Sequence, residues 1–181
     1  MLWFTSDHHF LEKNIIKIDK RPYSSMEGMI DDYVAKWNCL IEPKDTVYHL
    51  GDFISQYSHI NSVQKILRRL KGKRKILICG NHDNHSVNWY KRAGFNEVVK
   101  ESISIKIPFN GRKQKIILSH IPLKGDFYLN VHGHNHQDIF LDLLQNYNVA
   151  VHLHNGYPQS IEIILERFKQ FKESQNGTSK E

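Results

Sequence analysis

Asp7 and His9 stand two residues apart at the end of the apolar run Leu2–Ser6. In an extended segment, positions i and i+2 point to one side, so a carboxylate and an imidazole there can share a bound ion. Four more apolar runs end in the same kind of residue. Gly51-Asp52 follows Thr46–Leu50, and Gly80-Asn81-His82-Asp83 follows Lys75–Cys79. His120 follows Lys115–Ser119, and Gly133-His134-Asn135-His136 follows Tyr128–Val131. Oxygen and nitrogen ligands without thiolate suit manganese, iron, nickel or zinc, with manganese expected first. Two divalent cations about 3.5–4 Å apart need a bridging anion, and a carboxylate such as Asp52 offers two oxygens. Asp7 and His9 could complete one ion and Asn81 and His120 the other, with His134 and His136 divided between them. Such a pair lowers the pKa of a shared water and holds a phosphate for in-line displacement.

The elements that must position these residues follow the pattern of an α/β protein, in which short apolar runs alternate with longer periodic segments. Strands are predicted at Leu2–Ser6, Thr46–Leu50, Lys75–Cys79, Ile103–Ile107, Lys115–Ser119, Tyr128–Val131 and Val149–Val151. Asn110-Gly111 predicts a hairpin turn between two of them. Helices are predicted over Ser24–Leu40, Ser62–Leu70 and Ser160–Phe171, the first opened by a Ser24/Glu27 capping box. Ile161, Ile164, Leu165, Phe168 and Phe171 form an apolar stripe at helical spacing and read as core. Ligands of open α/β sheets gather beyond the carboxyl ends of the strands, where all the candidate residues fall. Glycines 51, 80 and 133 would let the chain turn as it leaves the sheet.

Taken in order, Asp7-x-His9, Gly51-Asp52, Gly80-Asn81-His82-Asp83, His120 and Gly133-His134-x-His136 resemble the five motifs of calcineurin-like metallophosphoesterases. The stretches Phe4–Asp7, Arg21-Pro22-Tyr23 and Asp45–Phe53 are similar to the short bacterial and bacteriophage members, over about residues 1–165. The resemblance implies an α/β fold, a four-layer αββα sandwich of two mixed sheets flanked by helices. It implies Asp7, His9, Asp52 and His136 on one metal, and Asp52, Asn81, His120 and His134 on the other. It further implies that His82 touches the substrate phosphate and protonates the leaving oxygen. Residues 1–173 are expected to form one domain of this type, and the polar residues 174–181 a frayed tail. Two departures stand out. Phe10-Leu11-Glu12 replaces a Phe-Gly-His continuation of the first motif. Ser55 and Gln56 replace the arginine-bearing end of the second motif in protein serine/threonine phosphatases, so that activity is not expected.

With 181 residues, the chain suits one core better than two. Hydrophobic residues at 40% and charged residues at 24% exclude a disordered chain, and no apolar run nears the roughly 18 residues of a membrane span. The opening residues lack a signal-peptide pattern, and Cys39 and Cys79 read as reduced core residues, so a cytoplasmic setting is expected. The net charge of +6 hints at an anionic partner. The basic run Lys65, Arg68, Arg69, Lys71, Lys73, Arg74, Lys75 enters a strand from its amino end, which puts it opposite the metals and reads as a solvated face. Arg21 and Lys124 are the cations expected to clamp the phosphate. The other histidines (8, 49, 59, 85, 132, 152 and 154) are expected to be structural. The expected activity is a phosphodiesterase with an open site, acting on nucleotides, nucleic-acid ends or other small phosphodiesters. The alternatives are a phosphomonoesterase or pyrophosphatase on the same site, and a scaffold without catalysis.

Overall fold

A computed structural model describes residues 1–137, 139 and 145–177. Its first sheet has strands β1 (Leu2–Thr5), β2 (Thr46–His49), β3 (Arg74–Ile78), β4 (Glu97–Val99) and β9 (Gln159–Ser160), in the order β4-β3-β2-β1-β9. All pairs are parallel except β1 with β9. The second sheet has β5 (Ser102–Phe109), β6 (Arg112–Ser119), β7 (Leu129–His132) and β8 (Asn146–Asn148), in sequential order. Here β5 and β6 form an antiparallel hairpin, and β6, β7 and β8 run parallel. Asn110 and Gly111 at its tip both have positive φ, 50° and 73°, as a two-residue primed turn requires.

Strand alternation divides the core in two. Trp3, Val47 and Leu77 face the helices α2 (Met26–Leu40), α3 (Ile60–Arg69) and α4 (Val87–Ala93). Phe4, Ile76 and Ile78 face the second sheet, where Ile116, Leu118, Leu129 and Val131 meet them. The last helix, α5 (Ile161–Gly177), adds Ile161, Ile164, Leu165 and Phe168 to this inter-sheet core. The molecule is thus two mixed sheets flanked by helices, as expected. The basic run lies on the end of α3 and the start of β3, at the amino edge, with Arg69 paired to Asp31 and Arg74 to Glu97.

Some details depart from expectation. The N-cap of α2 is Ser25, not Ser24; its hydroxyl accepts from Gly28 N–H at 3.1 Å. Val149–Val151 is not a strand: Ala150 makes one bridge to Ser6, and Val151–His154 winds into a 3-10 turn. The strand there is Asn146–Asn148, hidden in the sequence because its asparagines look like loop residues. Both are buried, and the Asn148 side chain accepts from Ala150 N–H and donates to Asn135 carbonyl. Cys39 is exposed rather than core. Of the tail expected at 174–181, residues 174–177 belong to α5, and 178–181 lie outside the described residues. No helix among the described residues is long and apolar enough to cross a membrane.

Candidate metal centre

The parallel strands β1, β2, β3, β6 and β7 carry the candidate residues off their carboxyl ends, so both sheets feed one edge. The sheets are stitched together there. Ser6 N–H donates to Val149 carbonyl at 3.2 Å, and Val151 N–H to Ser6 carbonyl at 3.0 Å. The backbone at this edge is strained. Asp7, His9, Leu11, Asp52 and His134 all adopt left-handed conformations, with φ between 49° and 68°. Each such non-glycine residue costs of order 1 kcal/mol or more, and such strain gathers where a site holds the chain in place. The glycines have two different jobs. Gly51, at φ +92°, is the one that needs the freedom of its backbone. Gly80 and Gly133 have ordinary φ values but no space: a Cβ on Gly80 would strike the Asp52 carboxylate, and one on Gly133 the Asp7 carboxylate and the Ser6 side chain.

The ligand atoms fall into overlapping groups. Those of Asp7, His9 and His136 lie within 4.8 Å of one another, as do those of Asp52, His120 and His134. Asn81 joins the second group, its Oδ1 being 2.9 Å from His120 Nε2 and 3.0 Å from His134 Nδ1. Asp52 Oδ2 lies between the groups, 3.4 Å from His120 Nε2 and 3.6 Å from His9 Nε2. His82 sits beside the first group, its ligand atoms grouped with those of His9 and Asp52, and its backbone N–H donates to Asp52 Oδ1 at 2.9 Å. Both ring nitrogens of His9 are buried without a hydrogen-bond partner. A buried imidazole left in that state is costly unless something else satisfies it, and a cation would do so. The donor set fits a pair of divalent ions.

Charge and hydrogen bonding set up each ligand. Burial opposes the charge on Asp7, yet the bond from His136 and the charge of His120 hold its carboxyl well below the usual carboxylate range. Burial keeps His9 neutral, lowering it to about 4. For His120 and His136 burial is outweighed. Asp52 raises the first to about 9, and Asp19 and Asp7 raise the second to about 9. His120 Nδ1–H donates to Leu50 carbonyl at 2.9 Å, which turns Nε2 toward the centre.

Around these lie residues to which the motifs assign no ligand role. Asp19 accepts from His136 Nδ1 at 2.7 Å, the carboxylate–histidine arrangement that orients a metal ligand. Asp83, buried, accepts from the backbone N–H groups of Asp52 (2.7 Å), Gly80 (2.9 Å) and Phe53 (3.2 Å), tying the second and third motifs together; burial pushes its carboxyl up to about 7. His152 donates to His136 carbonyl at 3.2 Å and groups with Asp19 and His136, on the far side of the His136 ring. His8 and His49 form a buried pair at 2.9 Å behind the centre.

Arg21 is a correction. It does not face the cleft: its side chain is buried, and its guanidinium donates to the carbonyls of Asp7 and His8, each at 2.8 Å, and to the Asp19 carboxylate at 2.7 Å. It props the strained first motif rather than a phosphate. The Asp19-x-Arg21 spacing was the available signal. Lys124 is exposed and is not among the residues lining the cleft. That cleft, of 560 Å³, is lined by ligands and by Glu12, His82, Asn135 and Gln137, with Ile15, Ile18, Ile121 and Pro122 as its apolar part.

A family model described as calcineurin-like phosphoesterase matches residues 1–176. Protein MJ1445 of Methanocaldococcus jannaschii is 31% identical over 94% of this chain and 93% of its own length. The Gene 66 protein of Mycobacterium phage L5 is 31% identical over 77% of this chain and 79% of its own. Among solved structures, the protein AQ665 of Aquifex aeolicus superposes with a TM-score of 0.72 at 26% identity, covering 92% of this chain and 98% of that one.

Proposed function

Because the chain belongs to the calcineurin-like phosphoesterase family, whose members hydrolyse phosphate esters with divalent metals, we propose that it is a phosphodiesterase acting on small, accessible diesters such as nucleotides or nucleic-acid ends. The observation that carries the diester reading is the charge of the cleft. Among the described residues that line it there is no lysine or arginine, and Glu12 adds a carboxylate. A phosphomonoester brings a second negative charge, which a protein cation beyond the metals would normally meet. The obvious candidate, Arg21, is spent on the backbone of Asp7 and His8. A diester carries a single charge and needs no such clamp.

In this reading Asp7, His9, Asp52 and His136 would hold one cation, and Asp52, Asn81, His120 and His134 the other, with manganese as the first choice. The metals, when bound, supply an activated water and neutralise the phosphate. Asp52 holds both halves in register, and the Asp83 carboxylate keeps Asp52 and Gly80 at the spacing this needs. His82 stands at the cleft wall and gives a proton to the departing ester oxygen, a role worth roughly 10²–10⁴ in rate.

With manganese supplied, the protein should hydrolyse bis-p-nitrophenyl phosphate faster than p-nitrophenyl phosphate. Preference for the monoester at saturating metal would overturn the diester assignment. His82→Ala should lower kcat by the factor above while leaving the metal content intact; loss of bound metal would make His82 a ligand instead.

A further inference from the structure

Eight large hydrophobic side chains stand out as exposed among the described residues, and two of them, Ile18 at 70% and Ile121 at 53%, line the metal cleft. They come from different halves of the fold. Ile18 ends the short helix α1 (Ile15–Ile18) that follows the first motif of the first sheet. Ile121 follows His120 at the end of β6, in the second sheet, and is succeeded by Pro122 in the same wall. Isolated exposed apolar residues need no explanation, but a pair brought to one catalytic cleft from two sheets does. Beyond the ligands, the rest of the described lining is uncharged apart from Glu12. Within this lining a polyanionic chain would find no positive track of the kind that nucleic-acid grooves present; Lys100 and Lys13 line adjoining pockets instead.

We propose that Ile18, Ile121 and Pro122 form a subsite for an uncharged, planar ester arm of the substrate, so that the preferred diester carries an aromatic or heteroaromatic group next to the scissile phosphate. The proposal rests on the diesterase reading above and narrows it. The metals and their ligands take the phosphate, and the two isoleucines take the flat face of the arm. Glu12 discourages a further phosphate on that side. A mononucleotide diester with its base on this ledge satisfies these demands, whereas a long polyanion does not.

The test compares two diesters with one leaving group and one charge, bis-p-nitrophenyl phosphate and methyl p-nitrophenyl phosphate. They differ only in the arm that stays behind. The readout is the ratio of their kcat/KM values in the manganese-loaded wild type, in Ile18→Ser and in Ile121→Ser. Because both side chains are largely exposed, neither change should impair folding, and thermal unfolding checks this. Each substitution should reduce the ratio by about tenfold, chiefly through KM of the aryl diester, the scale of one lost apolar contact in a specificity pocket. A ratio unmoved by both variants overturns the subsite while leaving the diesterase intact. Failure of the wild type to cleave either diester would sink the diesterase reading itself, and so separates the two claims.

Discussion

Arg21 shows how a residue type can suggest one job and its surroundings another. A cation near a predicted phosphate site reads as a clamp, but the guanidinium is buried and each of its arms already has a partner in Asp19 or in the carbonyls of Asp7 and His8. Removing one member of a buried ion pair leaves the other uncompensated, at a cost of roughly 3–5 kcal/mol. Arg21→Ala should therefore lower the unfolding free energy measured by denaturant titration by that much and weaken metal binding, because the left-handed Asp7 and His9 lose their support. A variant with wild-type stability and a changed KM alone would restore the clamp. A second expectation concerns protons. His120 and His136 stay protonated up to about pH 9 in the metal-free protein, and a ligand nitrogen must be neutral. Below that pH each bound cation has to displace protons, so apparent affinity falls as pH falls, by up to about 1.4 kcal/mol per proton per pH unit. Calorimetric titration at pH 7 in buffers of different ionisation enthalpy should record net proton release. Affinity that stays level from pH 6 to pH 8 would contradict the assignment.

At the scale of elements, the centre depends on turns that bring backbone against carboxylate. Gly133→Ala would drive a methyl into the Asp7 carboxylate and Ser6. It should reduce metal affinity at least tenfold with the helices retained, as metal titration and circular dichroism would show; unchanged affinity would mean that Asp7 is not a ligand. The candidate ligand residues could be picked out in the sequence because each follows an apolar strand, and strand ends can be read from periodicity. The long helices and the β5–β6 hairpin were legible for the same reason. Helices α1 and α4 were not, since four and seven residues are too few to carry a helical period, and neither were β4 and β9, which are only three and two residues long. Asp19 was missed because it belongs to no strand end; its role exists only once the chain has folded back to place it beside His136. Polarity misled at Asn146 and Asn148, which look like loop residues, and apolarity misled at Cys39, which lies on the outer face of α2.

For the whole molecule, the cations would join two sheets that meet at this edge through the Ser6–Ala150 bridge, the bond from His120 to Leu50, the bond from His134 N–H to the Asp7 carboxylate and the contacts of Asn81 with His120 and His134. Ions that bind only the folded form stabilise it by mass action, about 2.7 kcal/mol at a hundredfold excess over Kd. Chelation should accordingly lower Tm by roughly 5–10 °C in a protein of this size. No shift on adding chelator to metal-loaded protein would count against a bridging centre. The strand order has its own consequence. β1 lies between β2 and β9, so Trp3 pairs with Val47 on one side and Ser160 on the other. During synthesis on the ribosome, β1 emerges well before β9 and must keep one flank open until β9 follows, many seconds later at typical elongation rates. Ser6, whose neighbour is Asp7, likewise waits for Ala150. The nascent chain therefore cannot close the ion cage before the segment around Ala150 has been made, and metal would be captured only then rather than guiding the folds of β1 and β2.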